Sequence, residues 1–281
     1  MTGPPPLSPA AVSVLTALLE ARTGQQLASY RSWRLDTALK PLLKARDLPT
    51  LDALVSLLLD GADPQLGDHV VDALVNSETS FFRDAPVFDL IAEAVRLAET
   101  KGRRARIWCA GCATGQEPLS LAMIFAERAR LSGTEMPDIL ATDVSDTALT
   151  QARAGRYTQF EAQRGLPVRR LMQWFDGALD GDWIAKPELV RHVQYRRGNL
   201  VADAAPAGRF DVVLCRNVML YLSPRAKPVV FDRLANALYP DGMLVMGAGE
   251  TVIGQTRLFA PSRTLRGLYA RTVAQDSTLA A

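Results

Sequence analysis

The chain has 281 residues, 48% of them hydrophobic and 22% charged, and a formal net charge of +2. That length accommodates a large core plus a second, smaller domain, and the near-neutral balance excludes a global field for nucleic acid. Three cysteines, no leading signal-type segment and no run near the roughly 20 apolar residues that span a bilayer point to a reducing cytoplasm without direct membrane insertion.

In chain order, Met1–Pro9 is rich in proline and small residues and reads as a disordered lead over residues 1–9. From Ala10 to about Val75, apolar residues recur at helical spacing, as in Val14, Leu15, Leu18 and Leu19 and again in Leu51, Leu54, Val55, Leu58 and Leu59. An all-α domain over residues 10–75 is expected. Within it Arg31, Arg34, Lys40, Lys44 and Arg46 stand against a single Asp36. These charges share no helical stripe, and Pro41 is expected to interrupt the helix. The segment reads equally as a solvated surface or as a docking surface for an acidic partner.

Asn76–Asp84 is a linking segment, followed by a helix from Pro86 to about Thr100, so that residues 76–100 join the helical domain to residues 101–281. Beyond it, strand candidates Arg106–Ala110, Asp138–Asp143, Val190–Arg196, Phe210–Cys215 and Met243–Gly247 alternate with helix candidates Glu117–Arg130, Thr147–Ala154 and Ala226–Leu238. Such alternation of apolar strands and helices predicts a parallel sheet covered on both faces. Arg257–Pro261 and Leu265–Thr272 read as a strand pair at one edge, and about residues 155–189 the rhythm is lost in a folded but irregular insertion.

In open parallel sheets ligands gather at the carboxyl ends of the strands. The residues following the strands are Gly111, Gly115 and Glu117; then Asp143; then Asn199 and Leu200; then Arg216, Asn217 and Tyr221. The glycines would let a ligand approach bare backbone, with Pro118 opening the next helix, and Asp143 suits a ribose diol. The loop has neither the lysine of a P-loop nor a three-glycine dinucleotide fingerprint. A carboxylate at Glu117 would repel phosphate but suits a cofactor bearing an ammonium group and a sulfonium, although it also reads as an acid stabilising the start of its helix. Cys109 and Cys112 form a Cys-x-x-Cys, but the only histidines, His69 and His192, lie far off, so the pair reads as small residues in a tight turn and no metal is expected.

Four segments together resemble the CheR family of chemoreceptor glutamate O-methyltransferases. They are Phe210–Leu222, read as Phe-Asp-Val-Val-Leu-Cys-Arg-Asn-Val-Met-Leu-Tyr-Leu; Thr79–Asp84; Cys112–Pro118; and Leu238–Gly242 with Gly247–Glu250. The resemblance covers nearly the whole chain. It implies an α/β, Rossmann-like S-adenosylmethionine-dependent methyltransferase domain with a small inserted subdomain, preceded by the all-α domain as a basic docking domain. It implies cofactor contacts at Ser77, Thr79, Arg83, Gly111, Glu117, Asp143, Asn199, Leu200, Arg216 and Asn217, and catalytic roles for Arg83 and Tyr221. Ser77 stands where the family usually has a cofactor-contacting asparagine, and Gln116 replaces the first of two glutamates. The implied reaction methylates glutamates of chemoreceptor cytoplasmic helices, leaving S-adenosylhomocysteine, by a monomeric cytoplasmic enzyme. The alternatives are a cofactor-binding signalling module with little catalysis and a small-molecule methyltransferase on the same fold.

Overall fold

The computed structural model describes residues 8–27 and 33–272. The lead up to Met1–Leu7 and the basic residue Arg31 lie outside the described residues, as does the side chain of Arg34. The chain divides into two compact units: the described residues up to Asn76 with Tyr221–Ala226, and Ser77–Leu220 with the residues from Lys227 on.

The first unit is helical. α1 (Pro9–Thr23) begins inside the expected lead, because Ser8 caps it by accepting from the Ala11 N–H and Pro9 takes a first-turn position where no donor is needed. α2 (Trp33–Ala45) runs through Pro41 instead of breaking there. Pro41 is exposed, and the burial of Leu35 and Leu39 on the far side of the helix carries it across the missing backbone bond. α3 (Leu51–Asp60), capped by Thr50, and α4 (Leu66–Leu74) complete a core in which Leu15, Leu35, Leu39, Leu54, Leu66 and Val70 are fully buried. Lys40 and Lys44 are exposed one turn apart, whereas Arg46 pairs with Asp63 at 2.7 Å. Tyr221–Ala226 joins this unit through the Gln26 N–H, which donates to the Tyr221 carbonyl, and the Ser223 N–H, which donates to that of Gly24.

The second unit opens with α5 (Pro86–Glu99), β1 (Arg106–Ala110), α6 (Gln116–Ser132), β2 (Asp138–Asp143) and α7 (Asp146–Ala154). After the insertion come β6 (Val193–Arg197), β7 (Phe210–Cys215), a 3-10 turn over Met219–Tyr221, α11 (Ala226–Ala237), β8 (Leu238–Met246), β9 (Phe259–Pro261) and β10 (Tyr269–Arg271). The sheet order is β6-β2-β1-β7-β8-β10-β9, with the first five strands parallel, β10 antiparallel to β8 and β9 antiparallel to β10. α6 starts at Gln116, two residues before Pro118. β6 starts later than expected because a short α10 (Pro187–Val190) uses its first residues, and β8 starts earlier because Leu238 pairs with Phe210 across a register shift.

The insertion is more regular than its sequence suggests. β3 (Arg156–Tyr157), α8 (Gln159–Gln163), α9 (Val168–Trp174), β4 (Phe175–Gly177) and β5 (Trp183–Ala185) build a three-stranded antiparallel sheet, ordered β3-β5-β4, with two helices. It is pinned to the larger sheet's core by aromatic packing: Phe81 meets Tyr157 and Phe175 edge-on, with centroids 5.0 and 5.6 Å apart.

Candidate active site

β1 lies between β2 and β7; the chain goes on from β1 to β2 on one side and from β7 to β8 on the other, so a crevice opens at the carboxyl ends of β1 and β7. Asp143, at the end of β2, organises the first wall. Its Oδ2 accepts from the Ala113 N–H at 2.8 Å and its Oδ1 from the Ser145 N–H at 2.9 Å, so one carboxylate fixes the loops after both β1 and β2. The Gly111 and Cys112 N–H groups donate to the Thr142 carbonyl beside it.

The glycines of this loop are also required by their protein neighbours. A Cβ on Gly111 would come within 2.6 Å of Val218 Cγ2, and one on Gly115 within 2.8 Å of Ala152 Cβ on α7. Gly115 also caps α6 in the left-handed conformation, with φ of 92°.

The second wall is a buried ion cluster. The Arg216 side chain, 3% exposed, sends Nη1 to Glu117 Oε2 at 2.7 Å, and Nη2 to Asp84 Oδ2 and the Arg83 carbonyl, both at 2.8 Å. Its Nε is buried without a hydrogen-bond partner among the described residues. Glu117 sits in the first turn of α6, and burial raises its carboxyl above the usual glutamate range, with Arg216 opposing that rise.

Arg83 is about one-third exposed and pairs with Glu78 at 3.1 Å; Arg164 of the insertion holds the other oxygen of the same carboxylate. Ser77 and Thr79 are half-buried on the segment that carries Arg83. Asn199 Oδ1 accepts from the Val201 and Ala202 N–H groups, and the Leu200 carbonyl accepts from Arg233 at 2.7 Å. These two residues border a cleft of about 140 Å³ together with Trp108, Thr142, Pro206 and Arg233. Asn217 takes a left-handed conformation, φ 59°, and its N–H donates to Glu250. Ten of the expected site residues thus fall in the second unit, while Tyr221 falls in the first.

Glu78, Asp84 and Glu250 were assigned no role from sequence, although each lies in or beside a motif segment. Their partners are distant in the chain: Asp84 meets Arg216 132 positions away. All three cysteines are buried and unpaired, and burial pushes their thiols up, as expected of small core residues.

Residues 77–267 match the family model described as "CheR methyltransferase, SAM binding domain". The chain belongs to the CheR methyltransferase family. Among its CheR relatives is "Chemotaxis protein methyltransferase Cher2" of Pseudomonas putida, 34% identical over 84% of this chain and 88% of that one. "Chemotaxis protein methyltransferase 1" of Pseudomonas aeruginosa is 35% identical over 83% and 87%, and the Escherichia coli "Chemotaxis protein methyltransferase" is 28% identical over 96% and 93%.

The protein is therefore an S-adenosylmethionine-dependent methyltransferase, and the CheR crevice fits that group. Glu117 spends Oε2 on Arg216, while Oε1 has no hydrogen-bond partner among the described residues, which suits a ligand ammonium group. Asp143 offers an acceptor-only carboxylate at the end of β2, which suits ribose hydroxyls.

Ammonium binding requires Glu117 to be ionised, and its carboxyl is raised in the ligand-free protein. Affinity for S-adenosylhomocysteine should therefore fall on acidification starting above the ordinary glutamate value of about 4.3. Calorimetric titration from about pH 8 down to about pH 5 checks this, and Glu117→Gln should bind more weakly with a flatter profile. A flat profile in the parent protein would remove the ammonium assignment.

Proposed function

We propose that this chain methylates glutamate side chains of chemoreceptor cytoplasmic domains. When bound, S-adenosylmethionine supplies an electrophilic methyl group on a sulfonium, which an acceptor carboxylate takes by in-line displacement to give a γ-glutamyl methyl ester. The carboxylate is already ionised at neutral pH, so no general base is needed. The chain's own work is then to hold and align the reactants.

The observation that carries this reading is Arg83. Its partly exposed guanidinium, on the segment that also supplies Asp84 to the buried cluster, already holds a glutamate carboxylate, that of Glu78. Planar guanidinium donors fit a carboxylate, and a grip that is not too tight orients it without stabilising the ground state. On this reading Glu117 holds the ammonium group and Asp143 the ribose, with Ser77, Thr79, Gly111, Asn199, Leu200, Arg216 and Asn217 as further contacts. Tyr221 is the second catalytic residue on the family resemblance.

The helical unit is the docking domain, and exposed Lys40 and Lys44 on successive turns of α2 support an acidic partner helix. No helix among the described residues is long and apolar enough to cross a membrane. We place the enzyme, as a monomer, with the receptors' cytoplasmic domains.

Labelled S-adenosylmethionine incubated with purified receptor cytoplasmic domains tests the reaction. Base-labile label on glutamate is expected; base-stable label overturns the ester, and no label with intact S-adenosylhomocysteine binding favours the signalling module that the Ser77 departure suggests. In the same assay Arg83→Ala should lower single-turnover transfer by up to about 100-fold, the scale of a misoriented reactant. Normal transfer at saturating cofactor would remove its orienting role.

A further inference from the structure

Glu250 follows β8, and its carboxylate gathers three backbone donors from two loops. Oε2 accepts from the N–H groups of Asn217, at 2.6 Å, and Gly247, at 2.8 Å; Oε1 accepts from the Leu220 N–H at 3.2 Å. The Asn217 backbone is left-handed, a conformation uncommon for residues with a side chain though more open to asparagine, and its N–H is tied down by Glu250. Gly247 leaves no slack on the other side. A Cβ there would stand 2.8 Å from both Asn217 Nδ2 and Glu250 Oε2, and 2.9 Å from Asn217 N.

We propose that Glu250 is a positioning residue for cofactor binding, acting through Asn217: it clamps the loop after β7 against the loop after β8 and so presents the Asn217 side chain to the crevice. The proposal rests on the reading of Asn217 as a cofactor contact. An ionised carboxylate is the group this position requires, because it accepts at both oxygens and donates at neither. A glutamine of the same size has one acceptor oxygen, and its amide N–H groups would meet at least one of the three backbone N–H groups donor to donor.

The test is calorimetric binding of S-adenosylhomocysteine to the full chain carrying Glu250→Gln, Asn217→Ala or both, with thermal melts alongside. Glu250→Gln should weaken binding about 10-fold, the scale of losing one well-placed hydrogen bond to a ligand. The double variant should bind no more weakly than the weaker single variant, since both disable one contact. In turnover, KM for S-adenosylmethionine should rise more than kcat falls. Gly247→Ala keeps the carboxylate in the chain but crowds both Asn217 and Glu250 Oε2, and should reproduce the loss; it decides the matter if Glu250→Gln melts early.

Parent-like binding by both Glu250→Gln and Gly247→Ala overturns the clamp. Losses that add in the double variant also overturn it while leaving Asn217 a cofactor contact. Parent-like binding by Asn217→Ala overturns the reading of that contact, and the route through it, whatever Glu250→Gln does.

Discussion

Replacing Arg216 by alanine should destabilise the sheet unit by about 3 kcal/mol, the lower part of the range for removing one partner of a buried ion pair. The guanidinium is 3% exposed and Glu117 13%, so truncation strands a carboxylate that was desolvated on the strength of its partner. The loss should depend on pH, and its sign follows from the direction of the Glu117 shift. Burial raises the folded-state value above that of the unfolded chain, and Arg216 restrains the rise. Without Arg216 the folded state holds the proton more tightly still. Stability is then fullest in acid and is lost as pH rises through the raised folded value. Urea unfolding of Arg216→Ala should therefore show a larger deficit at about pH 8 than at about pH 5. Equal deficits would mean that Glu117 is solvated well enough to stay charged alone. Arg216→Lys should recover part of the stability, because it restores the charge, but not the simultaneous reach to Glu117, Asp84 and the Arg83 carbonyl.

Asp143→Ala should abolish most cofactor affinity while the chain remains folded. Two hydrogen bonds from ribose hydroxyls to a charged acceptor at about 1.5 kcal/mol each amount to about 3 kcal/mol, or roughly 100-fold in affinity. The true loss should exceed that figure. The same carboxylate holds the Ala113 and Ser145 N–H groups, so its removal loosens both loops as well. Asp143→Asn separates the two roles, since the amide keeps one acceptor oxygen and loses the charge; an intermediate affinity is expected. Unchanged calorimetric affinity for S-adenosylhomocysteine in Asp143→Ala would overturn the ribose assignment.

The parallel sheet was legible in the sequence because its strands are buried on both faces and read as short apolar runs between helical periods. β1, β2 and β7 lie where those runs stand. The insertion was not legible, because β3, β4 and β5 have only two or three residues each, too few for any period to show. Pro41 misled for a related reason: propensity is a local cost, and the burial of Leu35 and Leu39 on the other side of α2 outweighs it.

At the site, the chain order of strand-end residues was enough to propose Glu117, Asp143, Arg216 and Asn217, because a doubly wound sheet delivers its strand ends to one edge. What each side chain does there depends on contacts between residues far apart in sequence. Glu117 and Arg216 are 99 positions apart, and their pairing leaves the other oxygen of a buried carboxylate without a hydrogen-bond partner among the described residues. At Gly111 and Gly115, Val218 and Ala152 leave no room for a Cβ. Asp143 is a brace for two loops before it is a ligand for anything. The sequence by itself determined the family, the parallel sheet and which residue types line its edge, since those follow from local periodicity and motif order. Only the tertiary structure decided which charges are desolvated and which oxygens remain open, because burial and hydrogen-bond partnership are properties of packing between segments that the linear order holds apart.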